Sequence, residues 1–147
     1  MPIAFRPMKQ DEDMFPCVAD NATGLGLRAR DLTPDEAGQA HPGRGGMSVV
    51  SCIDGLRHRV AKRKFPPTLV PERLGKRIPG AIGQNNLRVF RIGSGRFERG
   101  VLTKSVALEV DIDDHGTVQP CSVMHITAFK AAIVSTRHMW CDGECDE

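Results

Sequence analysis

The chain has 147 residues, 20 Lys+Arg against 18 Asp+Glu, and 40% hydrophobic residues, which suits one domain around one core and excludes two. Charged residues at 26% exclude a wholly disordered chain, and no apolar run approaches the roughly 18 residues that cross a bilayer. The net charge of +2 is segregated: residues 1–56 carry 5 basic and 8 acidic side chains (−3), 57–104 carry 13 and 2 (+11), and 105–147 carry 2 and 8 (−6).

Residues 3–5 form a short apolar run that predicts a first strand, cut by Pro7. Residues 11–20 are acidic and interrupted by Pro16, so they read as a loop. Leu25-Gly26-Leu27-Arg28-Ala29-Arg30-Asp31 alternates apolar with small or charged residues and predicts a strand or extended segment. Thr33-Pro34-Asp35-Glu36 has the marks of a helix start: a Thr cap, Pro in the first turn and acids at the positive end of the dipole. Gly38 and Pro42 limit that helix to one or two turns. Pro42-Gly43-Arg44-Gly45-Gly46 predicts a tight turn in which glycine permits positive φ, and residues 47–52 predict a strand.

Residues 57–86 are basic and hold Pro66, Pro67, Pro71 and Pro79 with Gly75, Gly80 and Gly83, which predicts a long irregular loop. Residues 87–92 alternate as a strand, Gly93-Ser94-Gly95 turns the chain, and residues 106–112 alternate again. A last strand begins at Thr117-Val118 and ends at Pro120, with His115 in the polar turn before it. Ile126, Phe129, Ile133, Thr136 and Trp140 then recur at 3–4 spacing, the mark of an amphipathic helix with Lys130, Arg137 and His138 on its wetter side. The expected class is α+β: short, mostly antiparallel strands, a C-terminal helix and large loops, with residues 1–140 as one domain and 141–147 as an acidic tail.

The start, Met1-Pro2-Ile3-Ala4-Phe5-Arg6, lacks the layout of a secretory signal, so the expectation is a soluble cytoplasmic protein. Cys17, Cys52, Cys121, Cys141 and Cys145 are an odd number and read as reduced thiols. Cys141 and Cys145, with His138 near them, offer thiolates to a metal, but there is no second cysteine pair and a frayed terminus is the simpler expectation, so no metal is assigned. The +11 segment attracts phosphate, nucleic acid or an acidic protein surface, unless the acidic flanks fold against it. Of seven aromatic residues only Phe65 lies in the basic loop, which argues against a base-stacking surface.

Three residues can carry chemistry. Arg6, at the end of the first predicted strand, can fork onto a phosphate or carboxylate. Ser48 follows the glycine turn, where backbone N–H groups of Gly45 and Gly46 can cradle an anion or amide. His115 can bind or polarise a ligand group. Serine-triad elbow, Walker loop, HExxH and dinucleotide GxGxxG motifs are all missing from the sequence.

Their order is more specific than any one of them. The chain reads Phe5-Arg6, Leu27-Arg28-Ala29-Arg30-Asp31, Gly45-Gly46-Met47-Ser48, Val89-Phe90-Arg91-Ile92, Leu108-Glu109-Val110, then His115-Gly116-Thr117-Val118-Gln119-Pro120 before Met124, and closes on Arg137-His138-Met139-Trp140. This resembles the toxin family typified by the type VI secretion exported effector two, which is similar to NAD-dependent ADP-ribosyltransferases. The resemblance runs from about Phe5 to Trp140. It implies NAD as substrate, a cofactor site of Arg6, Gly45, Gly46, Met47 and Ser48, and Ser48 with His115 as catalytic residues. Glu109 would stand in for the glutamate that better-known ADP-ribosyltransferases hold against the ribose. The family has a hydroxyl residue where Met47 stands and commonly an aromatic where Gly116 stands, so one hydrogen bond and one stacking ring are missing. On charge alone, Arg57, Arg59, Lys62, Arg63, Lys64, Lys76 and Arg77 would meet either the target, an acidic protein or nucleic acid, or an acidic immunity protein. The alternative is a nucleic-acid-binding or RNA-acting protein built on those basic residues.

Overall fold

The structure, a computed structural model, describes residues 1–51, 87–112 and 115–142. In chain order it holds β1 (Ala4–Lys9), β2 (Gln39–Ala40), β3 (Met47–Val50), β4 (Leu87–Ile92), β5 (Gly100–Val101), β6 (Val106–Ile112), β7 (His115–Pro120), β8 (Met124–His125), α1 (Ile126–Val134), a 3₁₀ turn (Arg137–Met139) and β9 (Cys141–Asp142). Seven strands make one antiparallel sheet in the order β5-β6-β7-β3-β1-β4-β9, and β2 pairs with β8 beside it. The class is α+β, as the sequence predicts. Among the described residues no helix is long and apolar enough to cross a membrane.

Alternation along the strands splits the sheet into two faces. Met47, Val49, Val106, Leu108 and Val118 point to one face, where Ala4, Met8, Phe90 and Ile92 join them. Phe129 and Ile133 of α1, Trp140, Ala40 of β2, and the loop residues Leu25, Leu27 and Leu32 close this core. The opposite face carries Ser48, His115, Thr117 and Glu109 on β3, β7 and β6.

β1 runs through Pro7 and lies inside the sheet rather than stopping there. Proline has no N–H, so a ladder on both sides is ruled out. On the β4 side the register is unbroken from Ala4↔Ile92 to Lys9↔Leu87. On the β3 side only Phe5↔Val50 pairs. That one-sided break opens the gap that Arg6 fills.

Other expectations shift for local reasons. Residues 25–31 form no strand: Leu25 makes a single bridge to Val18, and the Asp31 carboxylate accepts from the Arg28 N–H and guanidinium and curls the chain. No helix starts at Thr33. The Asp35 carboxylate accepts from the N–H groups of Ala37 and Gln39, both at 2.9 Å, and closes a turn into β2 instead. The C-terminal helix stops at Val134, and Thr136 and Trp140 extend its buried stripe through the 3₁₀ turn. Cys141 is not frayed: β9 pairs with Phe90 and Arg91 of β4. Cys52, Cys145 and the basic loop of residues 57–86 lie outside the described residues.

Candidate functional site

β3 and β7 pair with Met47↔Val118, Ser48↔Thr117 and Val50↔His115. Facing residues of an antiparallel pair share a face, so Ser48, Thr117 and His115 form a polar cluster on the side away from the core. Ser48 Oγ lies 2.6 Å from His115 Nε2. The other ring nitrogen, Nδ1, lies 2.8 and 2.7 Å from the two carboxylate oxygens of Asp111. A carboxylate only accepts, so Nδ1 carries the hydrogen, and Nε2 of the neutral ring is left to accept the Ser48 O–H. A hydroxyl, an imidazole and a carboxylate thus stand in one line of hydrogen bonds.

A β-bulge makes this line. The β6–β7 register shifts between Val110↔Gly116 and Ile112↔His115, and Asp111 is the extra residue. A bulge re-aims the side chain it carries, here toward the ring of the first residue of β7. The imidazole is 18% exposed and the carboxylate 52%, so the line runs from half-buried Ser48 out to solvent.

The same face continues into a cavity. Thr117 pairs with Ser48 on one side and Glu109 on the other. Glu109 lines a cavity of about 520 Å³ with Arg99, Gln119, Gly43, Val101 and Cys121. Arg99 Nε donates to Glu109 at 2.8 Å. Gln119 holds the floor: its Nε2 donates to Thr117 Oγ1 at 2.9 Å, and its Oε1 accepts from the Gly43 N–H at 2.7 Å. The volume lies within the range of small-molecule pockets.

Arg6 comes from the other side. It is 3% exposed and sits on the core face between Ala4 and Met8. Its Nη1 donates to the Ser48 carbonyl at 2.6 Å, Nε and Nη2 to the Gly24 carbonyl at 3.1 and 3.0 Å, and Nη2 to the Asn21 carbonyl at 3.0 Å. Burial pulls its pKa down to about 10, which still leaves it protonated at neutral pH. Continuing the Phe5↔Val50 register by two residues would set Pro7 opposite Ser48. Pro7 has no N–H for the Ser48 carbonyl, and the guanidinium supplies one. Arg6 therefore meets Ser48 through the backbone and spends its donors on three carbonyls, where the sequence suggests a phosphate or carboxylate.

The glycines and Met47 also work as supports. The Gly46 N–H donates to the Asp31 carbonyl at 3.0 Å, and a Cβ on Gly46 would run into the Val118 carbonyl. Gly45 has φ 106° and passes against the Asp31 carbonyl. The two glycines let the chain enter β3 close against β7 and so fix where Ser48 stands. Met47 is fully buried in the core on the far face from Ser48. A side chain at Gly116 would also point to the core face, where its Cβ would lie 2.6 Å from the Glu109 carbonyl and 3.1 Å from the Phe97 ring. Glu109 is on the polar face, bonded to Arg99 and separated from Ser48 by Thr117. Arg57, Arg59, Lys62, Arg63, Lys64, Lys76 and Arg77 lie outside the described residues.

Asp111, Thr117 and Gln119 were not singled out by the sequence. The alternation of β6 sets Glu109 and Asp111 on one face, but the shift that turns Asp111 onto His115 has no signature in composition. His138, the third ligand considered for a metal, packs edge-on against Phe15 with ring centroids 4.4 Å apart. Among the described residues no cluster of three His, Cys, Asp or Glu side chains is placed to hold a metal. Set against protein-family models, curated proteins and solved structures, the chain gives no significant match.

Proposed function

We propose that the chain is a toxin that consumes NAD in a target cell's cytoplasm, as an ADP-ribosyltransferase or NAD glycohydrolase, on the face that carries Ser48 and His115. The observation that supports this most is the 2.6 Å contact between Ser48 Oγ and His115 Nε2. The sequence motifs pair these two residues as one site, and they are 67 positions apart. The cavity beside them, with Glu109 and Arg99, has room for part of a dinucleotide.

The chemistry asks for orientation and charge. The nicotinamide–ribose bond breaks as its electron pair moves onto the cationic ring, which leaves as neutral nicotinamide, while positive character grows on the ribose. Carboxylates near that centre stabilise it. Glu109 lies on the face where it would do so, and Arg99 suits the pyrophosphate. His115 takes a proton from an attacking hydroxyl or water. Arg6 acts from behind by holding the Ser48 backbone.

The partner that suits the +11 segment is an acidic immunity protein. Nucleic acid suits the same charge. Binding to RNA that falls steeply with salt, without NAD loss, would favour that second reading.

Incubating the purified chain with NAD and measuring nicotinamide release by chromatography tests the proposal. Wild type releases nicotinamide, and Ser48→Ala and His115→Ala each lose at least ~100-fold. Expression arrests the host, and the same variants relieve the arrest. Full activity in both variants removes the site assignment, and no release by the wild type removes the NAD chemistry.

A further inference from the structure

We infer that Ser48 is a nucleophile and that the protein has acyl-transfer reactivity of the esterase kind, independent of NAD. The serine, histidine and aspartate stand in the order and spacing by which a hydroxyl is activated: Oγ to Nε2 at 2.6 Å, Nδ1 to the carboxylate at 2.7 and 2.8 Å. Such a constellation is recognised by geometry and roles rather than by sequence position, so the missing elbow motif does not count against it.

The site also holds a donor for the oxygen that becomes negative. Thr117 is the register partner of Ser48 on the same face. Its Oγ1 accepts from Gln119 Nε2 at 2.9 Å, and Gln119 is fixed in turn by the Gly43 N–H. With its oxygen so engaged, the Thr117 hydroxyl has its hydrogen to give toward a group bound over Ser48. The cavity beyond Thr117 takes the rest of a small ester, and its Arg99–Glu109 pair favours one with a polar tail.

The step balances. Ser48 Oγ bonds to the ester carbonyl carbon as its proton passes to His115 Nε2, and the carbonyl oxygen takes the electron pair. The tetrahedral adduct collapses, the carbon–alkoxide bond breaks, and the alcohol leaves with the proton from His115. Water then adds to the acyl carbon of the acyl-serine as its proton passes to the same nitrogen; the carbon–Oγ bond breaks, Ser48 Oγ takes the proton back from His115, and the carboxylic acid leaves. Asp111 touches no substrate; it is a positioning residue that keeps Nε2 free to accept.

A fluorophosphonate probe with the full-length chain tests this by intact mass and peptide mapping. Wild type gains one adduct, on Ser48, with loss of fluoride; Ser48→Ala gains none. Thr117→Val slows labelling by about 100-fold. Asp111→Ala slows it at least ~100-fold, and Asp111→Glu recovers most of the rate, as a positioning role requires and a merely structural one does not. Thermal melts confirm that each variant is folded. Wild-type labelling no faster than Ser48→Ala, or labelling on another residue, overturns the inference. Nicotinamide release is followed on the same samples. A labelled Ser48 without NAD loss removes only the NAD proposal, and NAD loss with Ser48 unlabelled removes only this one.

Discussion

Ser48 draws its position from both faces of the sheet. Its hydroxyl meets His115 on the polar face, and its carbonyl is held by Arg6 from the core. A lysine at position 6 cannot fork onto three carbonyls, so Arg6→Lys leaves at least one of them buried without a donor. We expect a loss of about 2–4 kcal/mol in a urea titration, with the slope of the transition unchanged. Weakened NAD binding with stability unchanged would instead return Arg6 to the ligand contact that the sequence suggests. The motifs single out Ser48 and His115 because hydroxyl and imidazole carry chemistry in any setting, and the fold brings the two side chains into hydrogen-bond contact. They misplace Arg6 because alternation puts it on the core face beside a proline, and a proline's missing N–H announces no partner.

The acidic loop of residues 11–20 is tied to the C-terminal segment. Arg137 donates to Asp11 and Asp13 at 2.7 to 3.1 Å and to the Pro16 carbonyl at 2.9 Å, and it lies over the Phe15 ring at 5.8 Å. Lys130 reaches Asp20 at 3.4 Å. The hydrogen bond from Arg137 holds the Asp13 carboxyl below its ordinary range, and the one from His41 does the same for Asp35. A depressed carboxylate stabilises the fold above its unfolded pKa, and that contribution is lost as pH falls through the folded value. Melting temperature therefore falls as pH drops below about 4, and Arg137→Gln flattens part of that fall. Equal slopes in both proteins would show that the clamp contributes nothing. Both Asp13 and Asp35 are solvent-facing, so the effect is small.

Strands were the most legible elements: β4, β6 and the entry to β3 follow directly from alternation and the glycine turn. Short pairings such as β2 with β8 and β5 with β6 rest on tertiary contacts that two residues cannot advertise. The expected helix start at Thr33 gave way because Asp35 bonds its own backbone, which the same residue types favour equally.

At the scale of the whole molecule, charge is arranged by thirds. The only two cations of the acidic last third, Lys130 and Arg137, both pair with the acidic first third. Among the described residues Arg99 of the basic third pairs with Glu109. Arg99 thus sets one positive charge beside the Glu109 carboxylate of the polar face, where the proposed activity calls for an anionic ligand with a cationic ring. The ¹⁵N chemical shifts of the chain titrated with NAD test that claim most directly. The account predicts saturable shifts concentrated in residues 46–50, 109–111 and 115–119, with the His115 ring among them. Shifts confined to other parts of the chain, or none at millimolar NAD, would contradict it.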